Sequence, residues 1–139
     1  MENCIFCKIA NGEIPCNKVY EDENVISFMD INPINKGHLL VIPKKHFQEV
    51  KDYDDEIGGK LFNVAVKIEK AIRKVEGIKL EATSFVIANG KAAGQEVFHS
   101  HLHIIPRYEN DNMTTKINRT EKSSAEELKN LANLINNNI

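Results

Sequence analysis

One stretch of the chain carries apolar residues at the spacing of an α-helix, and it limits the folds open to the whole sequence. Apolar side chains recur there every three or four positions: Ile57, Leu61, Val64, Ile68, Ile72 and Val75. This spacing places one apolar stripe along a helix. Gly77 stands where a C-terminal cap belongs. Because Gly58 and Gly59 weaken the first turn, we predict regular helix over about residues 60–76.

The segments around this helix have the composition of short strands. Residues 25–30 mix β-branched and aromatic side chains, and residues 38–42 form an apolar run that Pro43 ends. Residues 84–88 and 97–106 are further strand candidates. A capping-box pattern at residues 124–127 opens a second helix with apolar positions at Leu128, Leu131, Leu134 and Ile135. Strands in the first half together with two helices predict an α+β fold.

The composition is that of a soluble, single-domain protein. The 139 residues suit one domain, 1–139, with 42% apolar and 27% charged residues. The net charge of −2 gives no support to a nucleic-acid partner, and no apolar run approaches the roughly 20 residues of a membrane span. The first residues lack the features of a secretory signal. Three cysteines, an odd number, argue against a disulfide framework and favour a reducing, cytoplasmic location.

Three of the five histidines alternate at positions 99, 101 and 103. On a strand these side chains share one face, with neighbours about 6.6–6.8 Å apart. Phe98, Leu102 and Ile104 fall on the other face and are expected to pack against the helix. Ser100 falls there too, and it can be buried if its hydroxyl is hydrogen-bonded.

The alternating histidines have three interpretations. They can be surface residues of a strand, ligands of a metal ion, or a nucleophile with its helpers, because neutral imidazole attacks phosphorus near neutral pH. The sequence just before them contains Asn89-Gly90 and Gly94-Gln95. Glycines let backbone N–H groups approach an anion closely. This loop beside three imidazoles favours a phosphate ligand, although the same glycines also serve simply to turn the chain.

The motif around these histidines resembles the signature of the histidine triad family, His-φ-His-φ-His-φ-φ with φ apolar. Residues 94–107 carry it, and residues 6–15, 28–33 and 37–46 resemble the family's N-terminus and central strands. The resemblance covers about residues 4–107 and is closest to the bacterial branch related to purine-nucleoside phosphoramidases. The extension 108–139 is less diagnostic.

The resemblance implies nucleotidyl transfer through a covalent intermediate. His101 would attack the α-phosphorus of a purine nucleoside phosphoramidate or related conjugate, and water would then release the nucleoside monophosphate. His103 would bind the phosphate and carry protons, and His99 would orient His101 through its backbone carbonyl. Two alternatives stay open. One is a non-catalytic module that binds purine nucleotides, and the other is a metal hydrolase that uses His101 and His103 as zinc ligands.

The resemblance also assigns residues that would bind the nucleotide. Asp30 would accept the ribose hydroxyls, although an aspartate before Asn32-Pro33 is also an ordinary turn residue. Asn89 and Gln95 would hold phosphate oxygens or the leaving group. Glu96 stands where the eukaryotic branch has a serine near the leaving group. The remaining nucleotide-binding candidates are apolar, and all but Val97 are assigned to the base pocket: Ile5, Phe6, Ile9, Phe28, Ile31 and Val97.

The cysteines Cys4 and Cys7 form a Cys-x-x-Cys pair without the βαβ context of a redox protein. Zinc needs two further ligands, and the resemblance to zinc-binding bacterial members makes His46 and His99 the candidates. Such a site would be structural, because four protein ligands leave no position for water. Two reduced thiols without metal are the alternative. Cys16 is an unpaired thiol, and His38 is expected to make a local hydrogen bond.

The family fold that the resemblance implies is a five-stranded antiparallel sheet with a long helix and a C-terminal helix. The family usually forms a symmetric homodimer with a ten-stranded sheet, in which the long helix is the expected contact. No organic cofactor is expected.

Overall fold

The computed structural model describes residues 3–113 and 117–139. The helices and strands follow in the order α1 (Ile5–Ala10), β1 (Lys18–Glu21), β2 (Val25–Met29), β3 (Leu39–Pro43), α2 (Ile57–Ile72), β4 (Ala82–Val86), β5 (Leu102–Arg107) and α3 (Ala125–Asn136). The strands form one sheet in the order β1-β2-β3-β5-β4, with every neighbouring pair antiparallel. The predicted α+β class, five-stranded sheet and C-terminal helix are therefore confirmed.

The sheet is covered differently on its two faces. Strand β3 is buried along its whole length, and its side chains alternate between two apolar clusters. Leu39 and Val41 pack toward α2, whereas Leu40 and Ile42 join the side chains of Phe6 in α1 and Phe28 in β2. Because β3 pairs with β5 so that Leu40 lies opposite His103, that histidine faces the α1 side of the sheet. The chemistry-bearing residues thus gather on the face away from the long helix.

Helix α2 has the predicted stripe but different ends. It begins at Ile57, ahead of the predicted start, because the Asp54 carboxylate accepts the N–H groups of Glu56 and Ile57 and caps the first turn. This cap allows Gly58 and Gly59 to lie inside the helix. The helix ends at Ile72, so the predicted extension to residue 76 was wrong: Val75 lies beyond the end, with 52% of its surface exposed.

The last strand starts later than the alternating pattern suggests. Strand β5 begins at Leu102, and residues 97–101 are irregular, so the predicted strand 97–106 was wrong at its start. Phe98 is 45% exposed instead of packing against α2. Leu102 and Ile104 do pack against α2, as expected. Ser100 is buried, its hydroxyl lies 2.6 Å from the Tyr53 hydroxyl, and its N–H donates to the Phe47 carbonyl at 2.6 Å.

The chain after β5 folds back onto the loop between β2 and β3. The Asp111 carboxylate pairs with the Arg107 guanidinium and accepts from the Asn35 amide. Ser124 caps α3 through the predicted capping box. The apolar residues of α3 are exposed, namely Leu128, Leu131, Leu134 and Ile135. In the part of the chain that the structure describes, no helix is both long enough and apolar enough to cross a membrane.

A candidate active site beside a cysteine and histidine cluster

A cavity of about 570 Å³ opens on the α1 face of the sheet. Its apolar walls come from α1, β2, β3 and the loops beside them: Ile5, Phe6, Ile9, Ile14, Phe28, Ile31, Leu40 and Val97. Its polar wall contains Asp30, His38, Glu96, His101 and His103. The cavity therefore combines an apolar compartment, suited to a flat ring, with a cluster of imidazoles and carboxylates. All the proposed base-pocket residues lie around it, although Ile31 is 83% exposed at its rim.

His101 is held in one tautomer by the backbone. Its Nδ1 lies 2.7 Å from the His99 carbonyl oxygen, which can only accept, so Nδ1 carries the proton. The other ring nitrogen, Nε2, then keeps its lone pair. Burial is the largest influence on the pKa of His101 and lowers it below its usual value. The hydrogen bond to the His99 carbonyl and the negative charges of Asp30 and Glu96 raise this pKa by a smaller amount. The neutral ring with a free Nε2 lone pair is the nucleophilic form of imidazole.

His103 is held in the opposite tautomer by His38. The Ile34 N–H donates to His38 Nδ1 at 3.1 Å, so the proton of neutral His38 is on Nε2. That Nε2–H lies 2.9 Å from His103 Nδ1 and donates to it, which leaves the proton of His103 on its own Nε2. Burial, chiefly, together with the neighbouring His101 and His38, lowers the pKa of His103 to about 4. His103 is thus a neutral hydrogen-bond donor beside the His101 lone pair.

His38 is a polar site residue that sequence reasoning missed. The expected local hydrogen bond exists, to Ile34, but the ring also contacts His103 and lies 3.5 Å from the Asp30 carboxylate. The signal was present in the alternation of the buried strand, because residues 38 and 40 share a face. Leu40 lies opposite His103 in the sheet, so His38 is its diagonal neighbour.

Asp30 satisfies both of its sequence interpretations. One carboxylate oxygen accepts the Asn32 N–H at 2.8 Å, which is the turn role. The other oxygen faces His38, and the side chain lines the cavity. A carboxylate at the junction of the apolar compartment and the imidazoles is positioned to accept hydroxyl protons of a sugar.

Asn89 and Gln95 stabilise the loop before the histidines. Asn89 accepts the Val50 N–H at 3.0 Å. Gln95 is buried, accepts the Gly90 N–H at 2.8 Å, and donates to the carbonyls of Gln48 and Val97 at 2.8 and 3.1 Å. Neither side chain lines the cavity, whereas Gly94 does. Their side-chain polar atoms are therefore engaged in holding the loop that carries Glu96 and Val97.

The Cys-x-x-Cys pair lies beside this site and faces two histidines. Cys4 is the N-cap of α1, a six-residue helix that the sequence did not reveal. Cys4 Sγ lies 3.4 Å from His99 Nδ1, and Cys7 Sγ lies 3.3 Å from His46 Nδ1 and 3.5 Å from His99 Nδ1. All four ligand atoms lie within 4.8 Å of one another. Tetrahedral zinc with bonds of about 2.3 Å to sulfur and about 2.0–2.1 Å to nitrogen places these atoms about 3.6 Å apart. The donor set therefore fits zinc.

The orientation of His99 separates the cluster from the cavity. Its Nε2–H donates to the Pro43 carbonyl at 2.7 Å, which directs the Nδ1 lone pair at the cysteines. Burial, chiefly, lowers the pKa of His99 to about 4, so the ring is neutral and able to ligate a metal. The Phe6 ring packs against the imidazoles of both His99 and His101, at centroid distances of 6.0 and 5.1 Å. The His99 imidazole does not line the cavity, and only its carbonyl reaches His101.

Comparison with known proteins places this arrangement in a family. The model of the HIT domain matches residues 11–110. The crystal structure of a HIT family protein from Bacillus anthracis has a TM-score of 0.91 to this chain at 44% identity, covering 99% of this chain and 98% of that one. A zinc-bound histidine triad family protein from Mycobacterium smegmatis has a TM-score of 0.76 at 33% identity, covering 99% of each chain.

A curated relative from a plant has a named activity. The adenylylsulfatase HINT3 of Arabidopsis thaliana is 40% identical over 109 residues, which are 78% of this chain and 54% of that protein. Fold and site together define an α+β protein in which three imidazoles, of His38, His101 and His103, line one cavity. The chain belongs to the HIT family, and the resemblance seen in the sequence is confirmed.

Proposed function

We propose that the protein is a nucleotidyl hydrolase or transferase that cleaves purine nucleoside phosphoramidates or related conjugates at the α-phosphorus through a nucleotidyl-His101 intermediate. The observation that carries this proposal is the opposite tautomers of two adjacent imidazoles, whose ring centroids lie 4.8 Å apart. His101 offers a lone pair to phosphorus, and His103 offers an N–H to a phosphoryl oxygen. The nucleoside would occupy the apolar compartment, with Asp30 on its ribose hydroxyls.

The test is intact-protein mass spectrometry after mixing with an adenosine phosphoramidate, with peptide mapping of the modified site. A transient gain of one nucleotidyl group on His101 supports the enzyme. Clear binding by calorimetry without any adduct supports the second candidate, a purine-nucleotide-binding module in which the imidazoles only hold the phosphate. The named activity of the Arabidopsis relative favours the enzyme.

The proposed role of His38 is to position His103. The side chain of Asn in His38→Asn is too short to place an N–H where His38 Nε2 lies, so the donor to His103 Nδ1 is lost. We expect kcat to fall about tenfold, because one hydrogen bond to a part-buried group is missing. The KM should change less, since His38 forms little of the apolar compartment. The ¹⁵N NMR shifts of His103 report its tautomer directly and should show a mixture of forms in the variant. Unchanged tautomer shifts would contradict the positioning role.

We also propose that zinc at Cys4, Cys7, His46 and His99 has a structural role. The geometric fit and the zinc-bound relative from Mycobacterium smegmatis support this proposal. When bound, the ion would link α1 to the segment before β5 through four protein ligands. The thiols require a reducing compartment, for which the cytoplasm is the proposed location.

The proposed homodimer would use α2 and the edge strand β4. Phe62 on α2 is 57% exposed and packs edge to face on Phe85 of β4. We expect Phe62→Glu to convert a dimer to a monomer in size-exclusion chromatography with light scattering, because the charge would be buried in the contact. Val19→Glu, at a 46% exposed site on the opposite edge strand, is the matched control and should stay dimeric. A monomeric wild-type chain would refute the contact.

A further inference from the structure

The cavity has an unusual charge composition for a site that would bind a phosphoryl group. Two carboxylates line it, from Asp30 and Glu96, together with three imidazoles. In the described part of the chain, no lysine or arginine lines it. Sites for polyphosphate chains or sulfate normally supply fixed cations, because each added anionic group must be neutralised. The composition instead suits a single phosphoryl anion with no further negative charge nearby.

The two carboxylates differ in their surroundings. Asp30 accepts a backbone N–H and faces His38, so its position is explained by those neighbours. Glu96 is exposed and makes neither a hydrogen bond nor an ion pair with any residue among 3–113 and 117–139. It nevertheless lies near enough to His101 for its negative charge to act on that ring. Glu96 is therefore an unneutralised charge at the open side of the cavity.

The backbone that carries Glu96 is held firmly. The preceding residue, Gln95, is only 4% exposed and bonds through its amide to three separate backbone groups. The following residue, Val97, packs against the cluster around Phe6 and Phe28. Glu96 thus projects from a fixed position between two anchored residues, and its charge stays beside the imidazoles.

The apolar compartment is the proposed nucleoside site, and Glu96 borders the cavity at an exposed position near His101. A group that leaves phosphorus beside His101 can therefore reach solvent past Glu96, at the open side of the cavity. From this geometry we propose that Glu96 selects substrates by the charge of the leaving group. Conjugates whose leaving group carries an ammonium are preferred, neutral ones are intermediate, and anionic ones are disfavoured. This inference rests on the proposed function and adds the chemical class of the departing group.

The reaction on which this selection acts has two steps. The bond from His101 Nε2 to phosphorus forms while the bond from phosphorus to the leaving nitrogen breaks, with the electron pair going to nitrogen. The nitrogen takes a proton from solvent at the open side and leaves as an amine. Water then breaks the bond between His101 and phosphorus, gives its proton to solvent, and releases the nucleoside monophosphate.

The test uses three adenosine 5′-phosphoramidates built on one short alkylamine arm that ends in an ammonium, a hydroxyl or a carboxylate. The three substrates share the phosphoramidate bond but differ in remote charge and, through it, in the basicity of the leaving amine. The same three substrates tested on Glu96→Gln separate the effect of Glu96 from that difference in basicity. A unit charge a few ångströms from Glu96 in a partly solvated site should change kcat/KM about tenfold for each sign. The wild-type protein is therefore expected to prefer the ammonium over the carboxylate substrate by about 100-fold. Added salt should reduce this ratio, because the site is open to solvent.

The variant Glu96→Gln should reduce that ratio to within about threefold, and Glu96→Lys should reverse it. Glu76→Gln removes an exposed carboxylate beyond the end of α2 and should keep the wild-type ratio. Turnover of all three substrates at equal efficiency by the wild-type protein, or an unchanged ratio in Glu96→Gln, would overturn the assignment while leaving the proposed function in place. Absence of any nucleotidyl adduct in the wild-type protein would refute the proposed function, and the inference with it.

Discussion

Replacement of His101 with glycine is expected to abolish the nucleotidyl adduct and to lower kcat/KM by at least about 10³-fold. Removal of the nucleophile from a covalent mechanism costs at least this much, because the remaining groups only bind and polarise the phosphate. Asp30, His103 and the apolar walls remain in place, so the affinity for a nucleoside monophosphate should change only a few-fold. Calorimetry measures the affinity, and single-turnover labelling measures the adduct.

The glycine variant also offers a rescue experiment. Loss of the His101 ring leaves space beside Phe6, with the His99 carbonyl free to accept a hydrogen bond from added imidazole. Millimolar imidazole should therefore restore part of the turnover without restoring the protein adduct. Cys16→Ser, at another residue that lines the cavity, is the control and should keep wild-type labelling. Normal turnover in the glycine variant would contradict the role of His101 as nucleophile.

The sequence predicted those parts of the fold that depend on local pattern. The stripe of α2 and the capping box of α3 are such patterns, and both helices form where expected, apart from the ends of α2. The start of β5 was wrong because alternation alone does not make a strand. Residues 99–101 alternate, but Ser100 bonds to Phe47 and Tyr53, which lie outside the sheet.

The site could not be predicted in full, because it is formed by contacts between residues that are far apart in the sequence. Cys4 lies beside His99, 95 residues away, and His38 contacts His103, 65 residues away. No period or spacing in the chain specifies such pairs, and the ligand set of His46 and His99 came from family resemblance alone. His38 escaped because the alternation of the buried strand indicates the face on which it lies but not the residue that it contacts. Its partner becomes evident only when the register between β3 and β5 is known.

Loss of one cysteine from the cluster should have the second large effect, on metal content and stability. Purified wild-type protein is expected to hold one zinc per chain by elemental analysis, and Cys7→Ser should hold less than about a tenth of that. Cys7 is the ligand to choose because its sulfur lies within 3.5 Å of both histidine nitrogens. Since zinc binding to a site absent from the unfolded chain contributes directly to folding free energy, the Tm should fall by about 10 °C or more.

The same experiment separates a structural metal from a catalytic one. Cys16→Ser removes a thiol outside the cluster and should keep both the zinc content and the Tm. Because the imidazoles of His101 and His103 lie outside this ligand set, chelation at a temperature well below unfolding should leave His101 labelling intact. Labelling should then disappear at the lower Tm of the metal-free protein, as the His99 carbonyl loses its fixed position. Immediate loss of labelling on chelation, without any change in folding, would instead indicate that a metal acts at the reacting phosphorus.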